Sequence, residues 1–220
     1  MNQSTNTAVR RGRPTEAIFA ANKLIRNTYM LLSMTLLFSA ATAGISMVYN
    51  FPHPGMLITL VGYFGLLFLT SALRNSAWGI ASVFALTGFM GLTLGPIINL
   101  YVHTFANGTE LVMTALGGTG AIFVGLSAYA LSTRKDFSFM GGFVMVGILV
   151  AFLAGIGALI FNLPTLSLAV SGMFVLLMSG FILYQTSAMI HGGETNYIMA
   201  TVGLYVSIYN LFLSLLHLLA

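Results

Sequence analysis

The chain has 220 residues, of which 58% are hydrophobic and only 5% charged, whereas an ordinary soluble domain carries about 25% charged residues, so it cannot cover itself with a water-compatible surface. Its net charge of +4 is confined to the stretches before and between apolar runs, which argues against a nucleic-acid partner. The absence of cysteine excludes disulfides, cysteine-ligated metal centres and a thiol nucleophile.

In chain order, residues 1–14 are polar and basic with too little apolar content to fold alone, and read as a flexible tail. A short helix is expected from Pro14 through Ile18, Phe19, Leu24 and Ile25, lying on the membrane surface before entering it. Residues 1–27 thus form a cytoplasmic tail and juxtamembrane segment, and residues 28–220 a seven-helix transmembrane domain. Its apolar runs fall at 29–49, 56–73, 78–102, 111–131, 139–161, 166–190 and 197–219, each long enough to cross about 30 Å of hydrocarbon. The breaks between them hold turn chemistry, such as Pro52, Pro54 and Gly55 or Asn162 and Pro164. Short connections make neighbouring spans antiparallel.

Arg10, Arg11, Arg13, Lys23 and Arg26 precede the first span, Arg74 lies in the second connection, and Arg134 with Lys135 in the fourth. All fall on one side of the membrane, and the positive-inside rule makes that side cytoplasmic. An odd number of spans then leaves the C-terminus on the opposite, periplasmic side.

No charged residue falls inside a span, which tells against a proton-coupled pump or an acidic-ring cation pore. The polar residues of the last span are ordered: Gly203, Ser207, Asn210, Ser214 and His217 recur at helical spacing and draw one stripe along one face. Hydroxyls and an amide facing lipid would go unpaired. The seventh helix is therefore expected to be central, with Asn210 hydrogen-bonded to a neighbour. Gln185, near the end of the sixth span, is the candidate partner of Ser207, although at 1.5 Å per residue they lie roughly 9 Å and roughly 16 Å from the connecting link. Within the spans Gly91/Gly95 and Ala151/Gly155 have the spacing that lets helix backbones approach closely.

Catalysis finds no support. Ser171-Gly172 and Ser179-Gly180 each lack the earlier glycine of an intramembrane serine protease motif, and the scattered His53, His103 and His217 read as incidental rather than as a metal site. No cofactor or metal is expected.

The stretches Gly91-Leu92-Thr93-Leu94-Gly95-Pro96, Ala115-Leu116-Gly117-Gly118-Thr119, Ser132-Thr133-Arg134-Lys135-Asp136-Phe137-Ser138 and Leu204 to Phe212 resemble the Bax inhibitor family of seven-helix membrane proteins. Lys23 to Tyr29 and His191-Gly192-Gly193-Glu194-Thr195-Asn196-Tyr197-Ile198 resemble its bacterial YccA-like branch. The resemblance implies six helices around a central C-terminal seventh. Calcium-leak members carry one aspartate in the sixth helix and one in the seventh, as a pH-sensitive latch; here Gln185 and Ser207 stand there, so neither calcium binding nor the proton switch works in that way.

The YccA-like branch instead implies a bound modulator that restrains FtsH, the membrane-anchored AAA protease of membrane-protein quality control. On that reading residues 1–26, with Arg10, Arg11, Arg13, Lys23 and Arg26, are the partner handle, and the packed bundle resists extraction. The second reading is a calcium or other ion leak, favoured by the stripe and disfavoured by the missing carboxylates. A structural or lipid-interacting protein is the third. The bilayer is a partner in all three, and the apolar outer surface leaves room for homo-oligomers.

Overall fold

The computed structural model describes residues 4–220, with side chains from Ile18 onward. Among these residues there are seven helices and no strand: α1 (Ser4–Val48), α2 (Met56–Leu73), α3 (Trp78–Thr104), α4 (Gly108–Thr133), α5 (Met140–Ile160), α6 (Pro164–His191) and α7 (Tyr197–Leu219). All seven are long and apolar enough to cross a membrane. In hydrocarbon a chain has no water for its backbone groups, and a helix satisfies them within the segment.

The expected spans reappear with small changes, α2 and α7 without any. The exception is α1. The sequence reading sets a flexible tail and a surface helix ahead of the first span, whereas α1 is continuous and its apolar stretch runs from Ile18 to Val48. Between Ala17 and Thr28 there is no glycine or proline and several strong helix formers, so nothing breaks the helix at the 27–28 boundary. The side chains of Arg10, Arg11 and Arg13 lie outside the described residues.

The breaks use the chemistry expected of them. Asn50 and Asn162 take left-handed backbone at φ 49 and 50, a region asparagine tolerates better than most residues, and Pro164 opens α6 at its first turn. Gly192, at φ 80, ends α6 and lets the N–H groups of Gly193 and Glu194 donate back to the Ala188 carbonyl.

Helix α7 packs against α6, α4, α1 and α3, while α2 rests chiefly on α3, and α5 chiefly on α6. Burial follows that order: half of the α3 span is buried inside the bundle, but only 6% of the α2 span. Large apolar side chains on α2 and α5, such as Leu57, Phe68, Phe143 and Val146, face outward, as a lipid-facing surface must. The main core joins Leu32, Leu86, Ile182, Met189, Leu204 and Leu211. A second cluster, with Ile98, Leu111, Ala115 and Phe212, fills the bundle toward the far ends of α3 and α4.

The closest helix contact is α1 on α3. A Cβ on Gly91 would collide with the Ser39 carbonyl and the Thr42 hydroxyl, and one on Gly95 would lie 2.5 Å from the Ser46 Cβ and 2.8 Å from the Ala43 carbonyl. Two bare glycine faces thus bring the backbones together, where dispersion and polar contacts replace the hydrophobic drive that lipid cannot supply. Ser46 then donates to the Leu92 carbonyl at 2.9 Å, and Asn99 to the Met47 carbonyl at 3.1 Å.

Candidate functional site

The polar residues of α6 and α7 meet, though not as a bonded pair. Gln185 is 7% exposed and Ser207 fully buried. The Gln185 amide lies beside Gly203, where a Cβ would be 3.2–3.4 Å from its atoms. Ser207 sits one turn further along α7 and donates to the Gly203 carbonyl at 2.8 Å. The offset is the one the chain dictates: Gln185 is six residues before the end of α6, Ser207 ten after the start of α7. An amide and a hydroxyl here can hydrogen-bond water or each other's backbone. Neither changes charge near neutral pH, and two neutral oxygens fall short of what calcium needs.

The rest of the stripe divides. Ser214 is buried. Asn210 does not bond to a neighbouring helix, as expected from the sequence; its Nδ2 donates to the Val206 carbonyl one turn back at 2.8 Å. The reason is a gap. Helices α2 and α5 do not close over α7, and a groove of about 610 Å³ opens between them, with Ser207, Tyr209 and Asn210 on its floor and Tyr63, Phe64 and Phe152 among its walls. With no partner across the gap, the amide turns to its own helix.

On the opposite flank α7 carries a feature that sequence reasoning missed. Tyr205 is 1% exposed; its hydroxyl is 2.6 Å from Ser39 Oγ on α1 and donates to the Thr87 carbonyl on α3 at 3.3 Å. Tyr209, at the edge of the groove, reaches Thr93 of α3 at 3.4 Å, and Tyr29 of α1 reaches Thr186 of α6 at 3.4 Å. A buried tyrosine needs a partner for its hydroxyl. The sequence signal is the spacing of Tyr205 and Tyr209, one helical turn apart.

The two stretches that carry the sequence resemblance most specifically lie on one face of the bundle. Ser187 Oγ accepts from the Phe137 N–H at 2.9 Å, pinning the 134–139 connection to the end of α6. Asn196 caps α7, accepting from the N–H groups of Ile198 and Met199 at 3.0 and 3.1 Å. Its Nδ2 also donates to the Arg74 carbonyl and to Asn75 Oδ1, both at 3.0 Å, tying in the α2–α3 turn. Glu194 accepts from the N–H groups of Thr195 and Asn196 at 2.8 Å. Asp136 accepts from both the hydroxyl and the N–H of Ser138, which hold its carboxyl below the usual carboxylate range. Lys23 and Arg26 are exposed on α1. Among the described residues no three His, Cys, Asp or Glu groups come together as metal ligands.

A family model described as the inhibitor of apoptosis-promoting Bax1 matches residues 21–220. A protein of Pseudomonas aeruginosa with no assigned function is 55% identical over 193 residues, covering 88% of this chain and 86% of its own. The Modulator of FtsH protease YccA of Escherichia coli is 52% identical over 203 residues, 92% of each chain. More distantly, Protein lifeguard 4 of mouse is 30% identical over 201 residues, covering 87% of this chain and 82% of its own.

Proposed function

The chain belongs to the inhibitor of apoptosis-promoting Bax1 family, and from that premise we propose that it is a bacterial inner-membrane protein that binds and restrains the FtsH protease. The observation that carries this reading is its 52% identity, over 92% of both chains, to a modulator of that protease. On this reading the chain is a regulator and not itself an enzyme.

The structure supports the reading in two ways. The Gln185/Ser207 region is neutral, so the bundle has no titratable group at the place where an acid-gated leak would need one. The glycine seam between α1 and α3 and the Tyr205 contacts make a bundle that is costly to pull apart. In the proposed arrangement the basic face is cytoplasmic, since Arg74, Arg134 and Lys135 share it with the α6–α7 link. The C-terminus is then periplasmic, and residues 1–26 offer the protease its handle. FtsH is the proposed protein partner, alongside the bilayer.

One observation favours the second reading, an ion or small-solute leak: the α2–α5 groove brings Ser207 and Asn210 to an opening in the bundle wall. The experiment that separates the two is affinity purification of the tagged protein from native membranes in mild detergent, run beside a Gln185→Asp/Ser207→Asp variant. Stoichiometric FtsH with both supports the modulator and makes the pair structural. No FtsH with either overturns it and calls for ion-flux measurements in liposomes. A chain lacking residues 2–13 that still binds and restrains FtsH removes the tail from the proposal.

A further inference from the structure

Arg26 of α1 and Arg134, the C-cap of α4, line one cavity of about 300 Å³ on the basic face. Among the described side chains its walls are apolar, from Ile25, Leu131 and Ile190 among others, its one further polar lining residue is Asn22, and no carboxylate lines it. Of the described carboxylates, those nearest in sequence to Arg134 and Ile190 make other contacts: Asp136 with Ser138, and Glu194 with the backbone N–H groups of Thr195 and Asn196. Two arginines therefore line one small cavity with no described carboxylate among its walls.

The backbone adds an independent observation. Arg134 sits at φ 49, ψ 27, in the left-handed region, which is unfavourable for a residue with a Cβ and which glycine occupies freely. A cation at a helix C-terminus is favourable in itself, but that explains neither the convergence with Arg26 nor the apolar walls. Apolar side chains on the same stretch of α1, Ile18 at 51% and Phe19 at 69% exposure, mark this level as one that lipid covers.

We infer that this cavity binds the phosphate-bearing headgroup of an anionic phospholipid. The two guanidinium forks hold the phosphodiester oxygens, Asn22 donates to the glycerol or phosphate oxygens, and the apolar walls meet the first carbons of the acyl chains. The site shares Asn22 and Arg26 with the segment proposed as the FtsH handle, but its test uses purified protein and lipid alone and does not depend on that reading.

The test is thermal unfolding of the purified full-length protein in neutral detergent, titrated with short-chain phosphatidylglycerol, short-chain phosphatidylcholine or inorganic phosphate. Phosphatidylglycerol is expected to raise the midpoint at concentrations where the other two do not. In the Arg26→Gln/Arg134→Gln variant its apparent affinity should fall roughly 30-fold, while Arg74→Gln, on the same face but outside the cavity, leaves it unchanged. If the double variant does not fold, Arg26→Gln alone, which leaves the α4 cap intact, should lose about fivefold. Equal loss with Arg74→Gln reduces the effect to diffuse surface charge and overturns the site. Equal stabilisation by phosphatidylcholine, or a full shift with inorganic phosphate alone, overturns the assignment to an anionic lipid.

Discussion

The two flanks of α7 are built in opposite ways. Toward α1 and α3, glycines remove side chains until backbones touch, and Ser39, Tyr205 and Thr87 lock three helices together in the space that remains. Toward α2 and α5 the helix is left uncovered, and Asn210 turns inward on its own backbone because nothing faces it. The same helix thus presents one flank that cannot yield without loss and one that already has room. Polarity does not separate them, since both carry hydroxyls. What differs is whether a neighbour lies within reach.

The sharpest way to break this contrast is Gly91→Leu. It drives a side chain into the Ser39 carbonyl and should cost about 3 kcal/mol or abolish folding, read from thermal unfolding in detergent. A loss as small as that of a groove substitution would mean that the α1–α3 seam is slack. Tyr205→Phe removes one hydroxyl and leaves Ser39 without its partner, and is expected to cost about 1 kcal/mol by the same measurement. Asn210→Leu, on the open flank, should change stability by less than about 0.5 kcal/mol. A loss comparable to that of Tyr205→Phe would show that the amide has a partner across the gap.

The smallest effect concerns acid. Both flanks should be indifferent to mild acidification, because none of the described carboxylates lines either flank: Glu110 is exposed in the first turn of α4, and Asp136 and Glu194 lie in connections. One contact has a response of definite sign: Asp136 with Ser138, whose folded carboxyl is held below the usual range. Its contribution is therefore present above the unfolded value of about 3.9 and lost only as pH falls through the lower folded value. Hydrogen exchange or limited proteolysis of the 134–139 connection should be unchanged at about pH 5 and rise well below that; a rise already near about pH 5 would contradict the Ser138 contacts.

Much of this was legible in the sequence, and the divide is physical. Spans are legible because hydrocarbon thickness fixes their length, and the ends of α2 and α7 followed directly. Gly91 and Gly95 were legible as packing because small residues at that spacing have few other uses in a membrane. The continuity of α1 was missed because the polar and basic residues before Thr28 set a boundary between a surface helix and the first span, although no glycine or proline there breaks the helix. Tyr205 and the gap beside Asn210 were missed for one reason: periodicity gives the face a residue occupies, but not which helix, if any, stands opposite. Leu and Phe serve lipid and protein alike, so the missing contact between α2 and α5 leaves no mark in the chain.

The length of α1 has a mechanical consequence. Its apolar stretch from Ile18 to Val48 has 31 residues, about 46 Å of helix against roughly 30 Å of hydrocarbon, so it must tilt or stand proud of the bilayer by several turns. A helix without a break transmits load as a rod. Tension applied near Ile18 reaches the glycine seam and the Tyr205 lock directly, with no slack to take up, and the bundle then yields as a unit rather than unravelling from its first turn.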